Sequence, residues 1–162
     1  MNLYQFDTLG LTHFVSAILA MFFGMGVVLL KKGTKKHIWV GYSYAISMIV
    51  LNLTALLIYK LFGKFGPFHA AAVFSFLTLL GGLIPAYLKK PAKTWLEFHY
   101  EFMNWSVIGL YAAFWSETFT RFFRFSGFWV LVATATAITV AVGAYLLKSK
   151  KEKILERFSD RV

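Results

Sequence analysis

Five long apolar runs decide what this chain can fold into. They extend from Leu9 to Leu30, Ile38 to Phe62, Phe68 to Leu88, Trp95 to Phe119 and Phe128 to Leu147. Each reaches the length of about 20 helical residues that a bilayer core demands. A membrane barrel would instead show segments of about 10 residues alternating polar and apolar. These runs are continuously apolar, so the expected fold is all-α: a polytopic membrane protein of five transmembrane helices, the first four forming an up-and-down bundle. Residues 1–147 are expected to make one helical bundle and residues 148–162 a basic cytoplasmic tail. Met1 to Asp7 carries no positive charge and no small-residue cleavage site follows the first run, so that run is expected to be retained rather than removed as a signal peptide.

Charge sets the orientation. The net charge of +10 would suggest nucleic acid in a soluble protein, but the basic residues fall in short clusters between apolar runs, the layout of a membrane protein with lipid and not nucleic acid as its partner. Lys31, Lys32, Lys35 and Lys36 follow the first run; Lys89, Lys90 and Lys93 follow the third; Lys148, Lys150, Lys151, Lys153, Arg157 and Arg161 follow the fifth. The opposite side has only Lys60, Lys64, Arg121 and Arg124, a split of 13 against 4. Five spans then place the N-terminus outside and the C-terminus in the cytoplasm.

Local signals agree. Pro67 suits the first turn of helix 3, Ser126 the cap of helix 5, and Gly33 and Pro91 the two cytoplasmic turns. Pro85 should kink or end helix 3 locally. Ile154, Leu155, Phe158 and Val162 share one helical face of the tail, which either continues helix 5 against anionic headgroups or forms a solvated end.

The chain has no cysteine, which removes disulfides, thiolate metal sites, iron–sulfur clusters and covalent haem attachment together. Any metal must sit on His, Met, Asp or Glu. The four histidines, His13, His37, His69 and His99, fall one each on the first four helices. Taken singly, each has a structural reading as a hydrogen-bonded packing residue. Taken together they form two layers, His13 and His69 towards the outside and His37 and His99 towards the cytoplasm. Alternate helices of an up-and-down bundle face each other diagonally, so each layer offers two imidazoles to a b-type haem, making two haems. On helix 1, His13, Ala17, Ala20 and Gly24 make a narrow face with room for a macrocycle, or alternatively for a neighbouring helix. On helix 2, His37 and Gly41 lie on a face with Met48 and Asn52. His99, Met103, Ser106 and Glu117 form a polar stripe on helix 4. Glu117 pairs with Arg121 one turn on, or orients an outer histidine. Glu97 and Glu101 flank His99 and are expected to pair with Lys89, Lys90 or Lys93.

Three stretches carry a resemblance: KKGTKKHIWVGYSYAISM (Lys31 to Met48), FGPFHAAAVFSFLTLLGG (Phe65 to Gly82) and FHYEFMNWSVIGLYAAFWSETFTR (Phe98 to Arg121). They resemble the bacterial predicted membrane proteins grouped as domain of unknown function 2306. The resemblance singles out His37, Gly41, Met48, His69, His99, Met103, Ser106, Glu117 and Arg121. In layout the two-layer histidine pattern also resembles the two-haem cytochromes of the b-561 type. It departs from them in having five helices rather than six and in the shallow position of His37.

Three functions remain open. The first is a haem b electron-transfer protein, a haem-dependent oxidoreductase, spanning the bacterial inner membrane several times and exchanging electrons with a quinol or another donor or acceptor. The second is a zinc or copper site on His13, His69 and Glu117, hydrolytic if one coordination position stays open. The third is a metal-free transport or structural subunit. A homo-oligomer is compatible with each.

Overall fold

A computed structural model describes residues 7–59, 63–122 and 127–158, and of Arg121 the backbone alone. These residues form five helices and no strand: α1 (Thr8–Leu29), α2 (Lys35–Leu57), α3 (Pro67–Leu88), α4 (Trp95–Phe122) and α5 (Phe128–Glu156). Four of them, α1, α2, α3 and α5, are long and apolar enough to cross a membrane. Helix α4 has 28 residues but carries Glu97, His99, Glu101, Asn104 and Glu117, which dilute its apolar character below that of the other four.

The helix ends follow local chemistry. The Asp7 carboxylate accepts the Gly10 N–H at 2.9 Å and starts α1. Thr34 Oγ1 accepts the His37 N–H at 3.2 Å and starts α2 at Lys35, three residues ahead of the apolar run. Apolarity reports contact with lipid, whereas a capped basic turn is helical outside it. At its other end α2 stops at Leu57 rather than running to Phe62, which lies outside the described residues. Pro67 opens α3 as expected, and the helix continues past Pro85 to Leu88, so no end falls at that proline. Gly33 turns the chain with φ of 75°, in the left-handed region glycine tolerates. The Lys90–Pro91 peptide is cis, and Lys89 Nζ lies 3.6 Å from the Trp95 ring centroid. Gly127 occupies the N-cap of α5 without a side-chain bond; Ser126, expected there, lies outside the described residues.

The chain divides into two compact units within α3, Met1–Leu77 and Thr78–Val162. The first packs α1 against α2. The buried residues of α1 are Ser16, Ala20, Gly24 and Val27, a stripe of mostly small side chains. A Cβ on Gly26 would sit 3.0 Å from Val40 Cγ1, so the two backbones approach through the gap that glycine leaves. Ala20 and Gly24 thus belong to a helix contact, and His13 and Ala17 lie half-buried beside it.

The second unit packs α4 against α5. Tyr100, Ile108 and Leu147 form its buried cluster, with Val140, Ile154 and Leu155 against it. The Tyr100 hydroxyl donates to the Leu147 carbonyl at 2.9 Å. Helix α5 therefore continues into the tail, as one reading expected, but Ile154 and Leu155 turn towards protein rather than headgroups. Lys151 reaches Glu97 at 2.7 Å and Glu101 at 2.8 Å. The partner of these two carboxylates is thus a lysine of the tail, brought alongside by the continuing helix, and not Lys89, Lys90 or Lys93.

Hydrogen bonding to Glu101, then to Glu97, holds the Lys151 ammonium above the ordinary lysine range. A folded value raised above the unfolded one stabilises fully below the ordinary lysine range and is lost only as pH rises through the raised value. The melting midpoint of Lys151→Met should therefore fall below that of the parent equally at pH 6 and pH 8, with the gap narrowing only in strong alkali. Thermal unfolding across that range checks it.

Large apolar side chains cover the outer surface, including Phe22 at 72%, Phe74 at 69% and Val130 at 67% exposure. Apolar area on this scale is stable in contact with lipid, not water. Trp39, Tyr59 and Tyr87 are exposed near helix ends, where rings meet the membrane interface.

Candidate functional site

Three of the four imidazoles are held through Nδ1. His13 on α1 places Nδ1 3.1 Å from Thr54 Oγ1 on α2. The single hydroxyl proton of Thr54 has two acceptors on its own helix, the Val50 and Leu51 carbonyls at 2.8 and 2.9 Å. Assigning that proton to the helix makes the hydroxyl oxygen accept from His13 Nδ1–H; the opposite tautomer would have Thr54 donate to Nδ1 instead.

His99 on α4 follows the same logic more simply. Its Nδ1 lies 2.9 Å from the Gly82 carbonyl of α3, which can only accept. A proton therefore sits on Nδ1. An imidazole that binds a metal through one nitrogen nearly always donates its other N–H to an oxygen of the protein. His13 and His99 both have that arrangement, one in each unit.

Gly82 makes the second arrangement possible. A Cβ there would lie 2.7 Å from both Cγ and Sδ of Met103 and 3.1 Å from the Met103 backbone nitrogen. Met103 is one turn beyond His99, so the same glycine seats the thioether and receives the imidazole. The adjacent Gly81 faces Phe102, whose Cδ1 would be 2.7 Å from an added Cβ. Met103 and Ser106 are buried, while His99 and Glu117 are half-buried. The Arg121 side chain expected beside Glu117 lies outside the described residues.

His69 is different. It is the third residue of α3, and Gly66 fills the cap, its carbonyl accepting from His69 N at 3.0 Å and Ala70 N at 3.2 Å. The Gly66 N–H donates back to His69 Nδ1 at 3.1 Å. This is the reciprocal pattern of a capping box, with imidazole where Glu or Gln usually stands. An Nδ1 that accepts carries no proton, so the neutral ring holds its proton on Nε2. The rings of Tyr59 and Phe65 lie against it, with centroids at 4.5 and 5.1 Å.

His37 sits half-buried in the first turn of α2, its backbone N–H held by Thr34. Along the same helix, Met48 and Asn52 are buried, and Asn52 Nδ2 has no hydrogen-bond partner among the described residues. No three His, Cys, Asp or Glu residues gather as a metal-holding group among the described residues, which bears on the His13, His69 and Glu117 set.

Thr54, Gly66 and Gly82 were not singled out from the sequence, although each holds a histidine by its Nδ1. The legible signals were the Gly66-Pro67 start of α3, which puts His69 at the third helical position, and the Gly81-Gly82 pair, which permits a close neighbour.

Long apolar helices with imidazoles held at fixed nitrogens define a helical membrane protein with polar side chains kept inside it. The chain belongs to the DUF2306 family of predicted membrane proteins, which it matches over residues 10–149. No curated protein and no solved structure matches it.

Proposed function

We propose that this is a multi-pass protein of the bacterial inner membrane that binds haem b and moves electrons across or within the bilayer. The observation that carries the reading is the shared anchoring of His13 and His99, each through Nδ1 to an oxygen of another helix. An imidazole anchored in that way is the arrangement in which Nε2 binds a metal. In this reading α4 crosses the membrane with the other four helices, putting the N-terminus outside and the C-terminus inside; four crossings alone would leave both ends on one side.

His99 holds the cytoplasmic site, and His13 holds the outer one. His69 does not fit as the second outer ligand, because the nitrogen that would face iron bears the proton while Nδ1 caps α3. Haem, when bound, supplies one-electron exchange. The chain's own part is to orient the imidazoles: Thr54 and Gly82 fix the ring planes, and the buried Met103 keeps water from His99.

Visible spectra of the purified protein, oxidised and dithionite-reduced, with iron analysis of the same sample, test the proposal. A sharp reduced haem band is expected. His13→Ala and His99→Ala should each remove a different spectral component, and His69→Gln should retain both. A sample that stays colourless after haem-supplemented expression overturns the reading, and bound zinc or copper in that sample would favour the non-haem site.

A further inference from the structure

The nitrogen of His69 that cannot face a metal is itself a site. The side chain is buried, at 3% exposure, and Nε2 has no hydrogen-bond partner among the described residues. Because Nδ1 accepts from Gly66, Nε2 is an N–H donor. A buried donor lacking an acceptor is costly, and such a group in a native protein calls for an explanation. A metal ion cannot supply one, since it needs the lone pair that this nitrogen lacks. What fits is an oxygen.

The surroundings narrow the choice. Tyr59 and Phe65 present neutral aromatic rings against the imidazole. An anion placed there would lose its hydration for a single hydrogen bond from a neutral donor, which is unfavourable. A carbonyl oxygen gives up far less water. Nε2 is itself covered, so an acceptor reaches it only as the exposed Tyr59 or Phe65 ring beside it swings aside. We infer that His69 Nε2–H, beside Tyr59 and Phe65, is the hydrogen-bond donor to a carbonyl oxygen of a lipid-soluble quinone headgroup. The choice of a quinone among lipid-soluble carbonyl compounds rests on the electron-transfer reading above; the donor itself does not. Flat quinoid rings also pack well against Tyr and Phe.

Capping and donation can be separated by substitution. Gln at this position has an amide oxygen for the Gly66 N–H and an amide N–H to donate. Glu has oxygens alone only when ionised, so its variant is compared with the others in alkaline buffer; both are the usual residues of a capping box. The experiment titrates the full chain, in neutral-detergent micelles, with 2,3-dimethoxy-5-methyl-6-decyl-1,4-benzoquinone, following tryptophan quenching. The wild type should bind saturably, and His69→Gln should bind within about threefold of it. His69→Glu should bind about tenfold more weakly, the scale of one hydrogen bond. Equal binding by wild type and a folded His69→Glu variant overturns the inference, as does the absence of saturable binding to wild type.

Should the Glu variant fail to fold, nitrogen-15 spectra of histidine-labelled wild type decide. Protonated Nε2 and unprotonated Nδ1 at His69, with the Nε2 resonance moving on quinone addition, support the site. The opposite tautomer, or movement only with phosphatidylglycerol, overturns it. Haem bands are read separately on the same samples. A haem-loaded protein that ignores quinone defeats this inference alone, and a quinone-binding protein without haem defeats the haem reading alone.

Discussion

Gly82→Ala is expected to lower the melting midpoint of the protein and to disturb His99 at the same time. Alanine gains about 0.8–1.0 kcal/mol of intrinsic helix propensity over glycine, so the sign depends on the fit. The added Cβ would lie 2.7 Å from Met103 Cγ and Sδ, and 3.1 Å from the Met103 backbone nitrogen. The thioether is flexible and can swing aside. The backbone nitrogen moves only if α4 moves, and over-packing of this kind costs about 1–3 kcal/mol. Destabilisation should therefore win, by up to about 2 kcal/mol on the difference of those two terms. Because His99 donates to the carbonyl of the same residue at 2.9 Å, a displaced α4 also lengthens that bond. In the haem reading the cytoplasmic spectral component should weaken in Gly82→Ala while the outer one persists. Thermal unfolding and difference spectra of one preparation check both halves. Met103→Ala added to Gly82→Ala should restore little of the stability, since it removes the side-chain clash and leaves the backbone one. A variant as stable as the parent would show that α3 and α4 do not meet at Gly82.

The second large effect is expected at Gly143. A Cβ there would sit 2.5, 2.8 and 3.0 Å from Cγ1, Cδ1 and Cγ2 of Ile108. Both γ-carbons branch from one atom, and in a helix isoleucine has one strongly preferred rotamer. Rotation thus carries one branch away while bringing the other closer. Gly143→Ala should cost up to about 2 kcal/mol, the over-packing range of about 1–3 kcal/mol less the helix-propensity gain of alanine. Here the pair can be cured at the partner. Ile108→Ala in the Gly143→Ala background should recover much of the loss, whereas Ile108→Ala alone should destabilise by opening a cavity. A double-mutant cycle followed by thermal or denaturant unfolding gives the coupling directly. Additive effects would separate α4 from α5 at this level.

Both predictions rest on glycines whose importance the sequence did not display. The helices themselves were legible, because an apolar run of about 20 residues has few alternatives. Their ends were less so. Helix α2 starts at Lys35 and α5 runs to Glu156, in both cases through basic turns that lipid preference does not register. The histidines were legible as a set because so few polar groups interrupt the apolar runs. Their protonation was not, since it depends on which oxygen or N–H another segment brings within reach. Thr54 lies 41 residues from His13 and Gly82 lies 17 from His99, and no spacing rule links either pair. His69 was the exception in principle. Its bond is local, and the third position after a Gly-Pro start already marks a capping residue. Reading it as a ligand gave too little weight to the helix end it occupies.

The length of α5 sets a mechanical condition on the second unit. Its 29 residues extend about 43 Å at 1.5 Å per residue, against a hydrocarbon core about 30 Å thick. The surplus is the turns bearing Lys148, Lys150, Lys151 and Lys153. Drawing the helix outward by one turn would drag ammonium groups into oil. The same turns are tied sideways, Lys151 to Glu97 and Glu101 and the Leu147 carbonyl to the Tyr100 hydroxyl. A slip of one turn between α4 and α5 would part the Leu147 carbonyl from the Tyr100 hydroxyl and Lys151 from at least one of its two carboxylates. The two helices consequently behave as a rod with a collar: free to tilt or turn together, but unable to act as pistons against one another.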